Sequence, residues 1–150
     1  MRIGEFLKRN KTAVTIQDGV RYKRVTIKVR NGGVVLRDEV MGENIGTKKQ
    51  FLVSEGQFIL SKIDARNGAM GIIPTELDGA VVTQDFLPYD IDTTKVNPQY
   101  FVLVCTTKQF IAFCQSCSSG TTNRQRVDEA QLLNIKVPVP SLDEQNKLVE

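Results

Sequence analysis

The segment Ser118–Arg126 concentrates side chains that can bind an anion. Phosphate oxygens are usually bound by Arg, Lys, small hydroxyl groups and exposed backbone N–H groups. Gly120 adds a position at which the backbone can approach a ligand closely. The side chains with this chemistry are Ser119, Thr121, Thr122, Asn123, Arg124 and Arg126. A surface loop whose Ser and Thr side chains cap its own turns would have the same composition, so these residues alone leave both interpretations open.

A second candidate group follows an apolar run in the first half of the chain. It consists of Lys62, Arg66 and Asn67. Arg and Asn are the side chains that form paired hydrogen bonds with the edges of guanine and adenine. In a structural alternative, Arg66 pairs with Asp64 or Asp85 and braces a turn in which Asn67-Gly68 adopts positive φ. The residue types fit the two roles equally well.

Positive charge is concentrated in the first part of the chain. Residues 1–66 contain 14 Lys and Arg against 7 Asp and Glu, whereas residues 67–150 contain 6 against 10, so a net charge of +7 precedes one of −4. The basic half of the chain is therefore suited to binding a polyanion. Weaker candidates for contact with a polyanion are Arg21, Lys23, Arg24 and Lys28 on one strand face, and Lys48 and Lys49. A solvated sheet face explains them nearly as well.

Three cysteines raise the question of zinc or thiol chemistry. Cys114 and Cys117 have the C-x-x-C spacing, and Cys105 is the third cysteine. A structural zinc site needs about four ligands, and the chain has no His. The pair follows an apolar run that predicts the end of a helix, whereas a redox pair favours a helix start. Reduced thiols packed in the core are the favoured interpretation.

Other catalytic patterns are incomplete, and the sequence predicts a module without catalytic residues, metal or cofactor. Val96–Tyr100 is similar to the Asn-Pro-Pro-Tyr motif of adenine methyltransferases, but Gln99 replaces the second Pro and no Gly-rich turn follows a strand to hold S-adenosylmethionine. The carboxylates lack the Glu-x-Lys pair after a strand Asp that would suit a Mg²⁺ nuclease. A phosphate-binding P-loop is also missing.

The first ninety residues have a pattern typical of β-strands. Val20–Val29 alternates apolar and basic residues, which predicts a half-buried strand, and Asn31-Gly32-Gly33 predicts a turn into a partner strand. Short apolar runs separated by turn residues follow. A short helix is predicted around Ile3–Leu7. The predicted fold is therefore a single α+β domain with a twisted, mostly antiparallel sheet region over about residues 20–90.

Helical signals dominate the remainder. Asn97-Pro98 is a cap followed by Pro at the first helical position, and the helical pattern breaks near Thr106-Thr107. Asp128 is expected to cap a further short helix. Ile135–Val139 is predicted to be a final strand, and Ser141–Glu144 has the capping-box pattern that begins a C-terminal helix.

Four stretches together resemble the target-recognition domain of Type I restriction-modification specificity subunits. They are Gly56–Ala69, Asp78–Phe86, Ser118–Val127 and Ile135–Gln145. The last is the most specific, because a strand ending in Pro-x-Pro and an acidic, Gln-containing helix start lead into the long spacer helix of that family. The order and spacing match over about residues 20–150.

The resemblance implies a module that reads one half of a split duplex DNA sequence and positions methyltransferase subunits. Residues 1–140 would form the recognition domain, and residues 141–150 would begin a spacer helix that is cut short. The implied partners are duplex DNA, the methyltransferase subunits, and a second recognition domain or a second copy through the spacer helix. Methylation and cleavage would belong to other subunits.

Two alternative functions stay open at this point. One is the recognition region of a fused restriction-methylation enzyme, and the other is a structural or interaction domain that does not read DNA. No apolar run approaches the ~20 residues that span a bilayer, and residues 1–9 lack a secretory signal core. A cytoplasmic location with no membrane partner is therefore expected.

Overall fold

The computed structural model describes residues 1–119 and 125–150, and these residues form the predicted α+β fold. Two mostly antiparallel sheets are built from residues 7–91. The sheet region therefore begins earlier than the predicted boundary near residue 20. Strands shorter than five residues escape detection by alternation because too few positions repeat.

The larger sheet has five strands. In spatial order they are β2 (Ala13–Thr15), β5 (Lys49–Leu52), β8 (Val81–Val82), β3 (Arg21–Lys28) and β4 (Gly33–Met41). β3 and β4 form the predicted antiparallel hairpin, whose register shifts between Arg24 and Val25. β3 pairs with β8 in parallel, and the other neighbours are antiparallel.

The second sheet has four strands and is antiparallel throughout. In spatial order they are β1 (Leu7–Arg9), β9 (Phe86–Ile91), β6 (Phe58–Ser61) and β7 (Met70–Ile72). All four residues of β6 are buried. Phe58 and Leu60 pack in the larger core, while Ile59 packs in a core with Val25 and Ile27 of the five-stranded sheet. β6 is apolar at successive positions because both of its faces are covered.

The predicted helix caps are confirmed. The helices are α1 (Pro98–Cys105), α2 (Lys108–Ser116), α3 (Glu129–Leu133) and α4 (Leu142–Leu148). The predicted caps Asn97, Asp128 and Ser141 each accept a hydrogen bond from a backbone N–H in the first turn. Thr107, which was not predicted as a cap, does the same at the start of α2. These side chains satisfy donors that a helix start otherwise leaves without partners. None of the helices in the described part of the chain is long and apolar enough to cross a membrane.

Two predicted elements are wrong. The first helix is only the 3-10 turn Ile3–Glu5, and Leu7 already belongs to β1. The predicted strand Ile135–Val139 forms one isolated bridge, between Arg2 and Lys136. Ile135 N donates to the carbonyl of Leu132 at the end of α3, and the other backbone partners of the segment among the described residues are Met1–Ile3. Pro138 has no N–H with which to extend the pairing.

Candidate nucleic-acid interface

The candidate group Lys62, Arg66 and Asn67 lies in the segment that leaves β6. This segment contains the 3-10 turn Ala65–Asn67, which ends at Gly68 with φ of 85°. Asn67 Nδ2 donates to Asp64 Oδ1 at 3.2 Å, so the Asn67 side chain helps to brace the turn, and Gly68 has the expected positive φ. We call residues 62–68 the recognition turn.

A short two-stranded ribbon joins the recognition turn through backbone atoms. The ribbon consists of β10 (Ser118–Ser119) and β11 (Arg126–Val127), paired antiparallel. Val127 N donates to the carbonyl of Lys62 at 2.8 Å, and Lys62 N donates to the carbonyl of Asp85 at 2.7 Å. The ribbon and the recognition turn are therefore neighbours, although their nearest ends, Gly68 and Ser118, are 50 positions apart in sequence.

Ion pairing at this junction differs from the sequence-based alternative. Asp85 Oδ1 lies 3.4 Å from Arg126 Nε, and both side chains are exposed enough for water to screen the pair. Such exposed pairs contribute little to stability. Arg66 Nε instead donates to the carbonyl of Ile63 at 3.3 Å, and Gln115 Nε2 of α2 donates to the carbonyl of Arg66 at 3.4 Å. Lys62, Arg66 and Arg126 thus lie on adjoining segments.

The remaining candidates of the Ser/Thr/Arg segment are Thr121, Thr122, Asn123 and Arg124, which lie outside the described residues. For Ser119 the structure describes the backbone, which pairs with Arg126. The contribution of each of these residues to binding stays a prediction.

The C-terminal end of the ribbon is anchored by a half-buried ionic network. Glu129 of α3 accepts hydrogen bonds from Arg9 Nη1 at 3.0 Å and from the Tyr89 hydroxyl at 3.1 Å. Burial, followed by the Glu129 carboxylate, raises the pKa of Tyr89 far above its ordinary value. Tyr89 therefore remains a neutral hydrogen-bond donor, and the network joins β1, β9 and α3.

Among the weaker basic candidates, three make contacts of their own in the larger sheet. Arg24 donates two hydrogen bonds to Asp38, at 2.8 and 2.7 Å, and this contact raises the pKa of Arg24 and lowers that of Asp38. Lys23 Nζ donates to the carbonyl of Glu76, and Lys48 Nζ to that of Gly42. Arg21, Lys28 and Lys49 are exposed. No hydrogen bond in the described part of the chain joins any of these side chains to the recognition turn.

The three cysteines are buried and free. Burial raises the pKa of all three thiols, and it brings that of Cys114 to about 12. Thiols with raised pKa are poor nucleophiles, which agrees with the core interpretation. Over residues 1–119 and 125–150, no three His, Cys, Asp or Glu side chains are grouped as metal ligands would be.

Sequence reasoning missed one basic residue beside the recognition turn. Arg30 lies at the tip of the β3–β4 hairpin, and its backbone N–H donates to the carbonyl of Asn67 at 2.7 Å. The turn signal Asn31-Gly32-Gly33 was recognisable, but the contact joins residues 37 positions apart in sequence. Only the folded arrangement reveals it.

The geometry defines an α+β domain in which backbone segments that carry basic residues, distant in sequence, adjoin at one turn. The family model for the Type I restriction modification DNA specificity domain matches residues 1–150, and the chain belongs to that family. No curated protein matches the sequence at a significant level.

Solved structures have the same fold. The HsdS subunit from Thermoanaerobacter tengcongensis superposes with a TM-score of 0.77 at 18% identity, covering 99% of this chain and 39% of that one. A chain from a study of complex assembly and conformational transition of the type I R-M system gives a TM-score of 0.78 at 20% identity, with the same coverage. This chain therefore spans 39% of the length of each of these structures.

Proposed function

We propose that this domain reads one half of a bipartite duplex DNA target for a Type I restriction-modification complex in the cytoplasm. The observation that supports the proposal most is the backbone bond between Val127 and Lys62, which brings the ribbon beside the recognition turn. The segments that carry Lys62, Arg66 and Arg126 are then neighbours on the backbone. Phosphate contacts from such side chains fix a protein on a duplex, and neighbouring side chains can reach the base edges.

Within such a complex, the domain acts by positioning rather than by catalysis. Its DNA contacts would present the target to methyltransferase subunits, which carry out the chemistry. Helix α4, which begins at Leu142, would continue into a spacer that joins a second recognition domain or a second copy. The family membership supports this arrangement, which remains a proposal for this chain.

Replacing Lys62 or Arg126 with alanine should flatten the salt dependence of DNA binding. Each phosphate contact that is lost lowers the slope of log K against log salt by about 0.9. The measurement is fluorescence anisotropy with a random-sequence duplex at several salt concentrations. Arg126→Ala should alter stability by no more than about 1 kcal/mol, because the Arg126–Asp85 pair is exposed.

Lys147→Ala is the matched control, because it removes one exposed positive charge from α4. Its slope should equal that of the original protein. Equal slopes in all four proteins would contradict the proposed interface, and a failure of the original protein to bind duplex DNA would favour a structural domain instead.

Methylation profiling of the source genome tests the half-site. We expect methylated adenines in a split motif with two short specific parts, and deletion of the coding sequence should abolish methylation at that motif. Methylation that persists unchanged after the deletion would contradict a role in target recognition.

A further inference from the structure

The tip of the β3–β4 hairpin has an unusual backbone. Arg30 and Asn31 have φ of 58° and 55°, and Gly32 N donates to the carbonyl of Val29 at 3.2 Å. Positive φ at both central residues is the pattern of a type I′ turn, in which Asn-Gly is the preferred pair. Here an Arg occupies the first position, and left-handed conformations are disfavoured for residues with a long side chain.

The tip is held in place by main-chain hydrogen bonds. Arg30 N donates to the carbonyl of Asn67 at 2.7 Å, and Asn31 N donates to that of Gly68 at 3.0 Å. A Cβ atom on Gly68 would lie 3.0 Å from Asn31 N, so the two turns approach as closely as a glycine permits. The Asn31 side chain also contacts the carbonyl of Cys105 at 3.3 Å. These contacts fix the direction in which the Arg30 side chain leaves the backbone.

An open cleft of about 420 Å³ lies beside the junction of the hairpin tip, the recognition turn and α2. It is lined by Val29, Arg30, Asn31, Asn67, Gly68 and Ile111. The Arg30 side chain is exposed, and no carboxylate of the described residues lies within ion-pair distance of it. The Arg30 guanidinium group is thus held on a rigid backbone and has no ion-pair partner among the described residues. It can therefore bind an acceptor group of a ligand.

We propose that the β3–β4 hairpin tip enters the major groove of the target and that Arg30 reads a base edge there. This inference rests on the proposed function and assigns a further specificity-determining residue to it. The major groove admits a two-stranded ribbon, and the guanidinium fork pairs with O6 and N7 of guanine. The strained conformation of Arg30 also fits a functional role, because strain of this kind is concentrated at binding sites.

The test is Arg30→Asn. The variant removes the guanidinium group and introduces a residue that readily adopts the positive φ of this position. Binding sequences are selected from a random duplex library by the original protein and by the variant. We expect the variant to lose a preference of roughly 10- to 100-fold at one base position while it keeps the other positions. Its melting temperature should equal or exceed that of the original protein, because Asn adopts positive φ more readily than Arg.

Arg37→Asn is the matched control, since it removes an exposed Arg from the same hairpin and should leave the selected motif unchanged. If Arg30→Asn changes only the salt slope, Arg30 contacts phosphate and the base-reading role is wrong. If it changes nothing while Lys62→Ala still flattens the slope, this inference fails and the proposed function stands. If the original protein selects no motif, both fail together.

Discussion

Replacing Phe101 with alanine should lower the free energy of unfolding by about 4 kcal/mol, a large fraction of the total stability of a domain this size. Phe101 is fully buried. Its ring centroid lies 5.1 Å from that of Phe6, 4.9 Å from that of Phe58 and 6.0 Å from that of Phe110. The side chain therefore joins the N-terminal turn, the second sheet and both central helices.

Urea unfolding at equilibrium measures this effect, with the midpoint falling at an unchanged slope. Phe113→Ala is the matched control, because Phe113 lies on α2 and remains 36% exposed. That change should cost less than about 1.5 kcal/mol, since much of the side chain already contacts water. Similar losses for the two variants would show that the aromatic cluster is not the centre of the core.

Replacing Gln145 with alanine should cost about 3 kcal/mol. The Gln145 side chain is completely buried. Its Oε1 accepts from Asn97 N at 2.7 Å, and its Nε2 donates to the carbonyls of Pro140 and Lys95 at 2.8 and 3.2 Å. Each buried partner that is left without a hydrogen bond costs about 1–3 kcal/mol. Thermal and urea unfolding measure the loss.

Asn146→Ala provides the comparison at the next position. Asn146 accepts one exposed hydrogen bond from Asn97, so its loss should cost about 0.5 kcal/mol. Gln145→Glu gives a further test, because an ionised carboxylate would face two carbonyl oxygens and could not donate to either. Its destabilisation should grow as the pH rises from about 4 to 7. A loss that does not depend on pH would contradict the assigned hydrogen bonds.

Elements with a complete local signal were predictable from sequence. The alternation in β3 and the turn at Asn31-Gly32-Gly33 predicted the hairpin, and the capping residues Asn97, Asp128 and Ser141 predicted the starts of three helices. Each of these features is determined by residues within a few positions of one another. In these elements, the structure that the local sequence favours is the structure that the fold contains.

No strand was predicted over β9, and Pro88 within it interrupts the local strand pattern. Proline is normally excluded from inner strands, yet β9 lies between β1 and β6. The carbonyl of Pro88 accepts a hydrogen bond from Asn10 N, just after the end of β1. The nitrogen of Pro88 faces the same neighbouring strand as its carbonyl, so it also points toward the end of β1. The missing N–H therefore costs one bond at the end of a ladder. Sequence cannot reveal this, because it depends on where the neighbouring strand stops.

The candidate site was predictable in residue type but not in arrangement. Lys62, Arg66 and Arg126 were selected for their chemistry, and their meeting depends on hydrogen bonds between segments far apart in sequence. The partner of Asp85 was likewise open, and it is Arg126 rather than Arg66. Arg30 was overlooked because nothing in its local sequence links it to Asn67.

Three of the contacts that hold neighbouring segments against the recognition turn are hydrogen bonds between peptide groups. Arg30, Asn31 and Val127 all reach residues 62–68 through backbone N–H groups that donate to backbone carbonyls. Peptide groups are identical in almost every amino acid, so the half-buried side chain of Lys62 and the exposed side chain of Arg30 can be exchanged without breaking these backbone hydrogen bonds. The domain could therefore acquire a new target by substitution at its reading positions while its architecture is inherited intact.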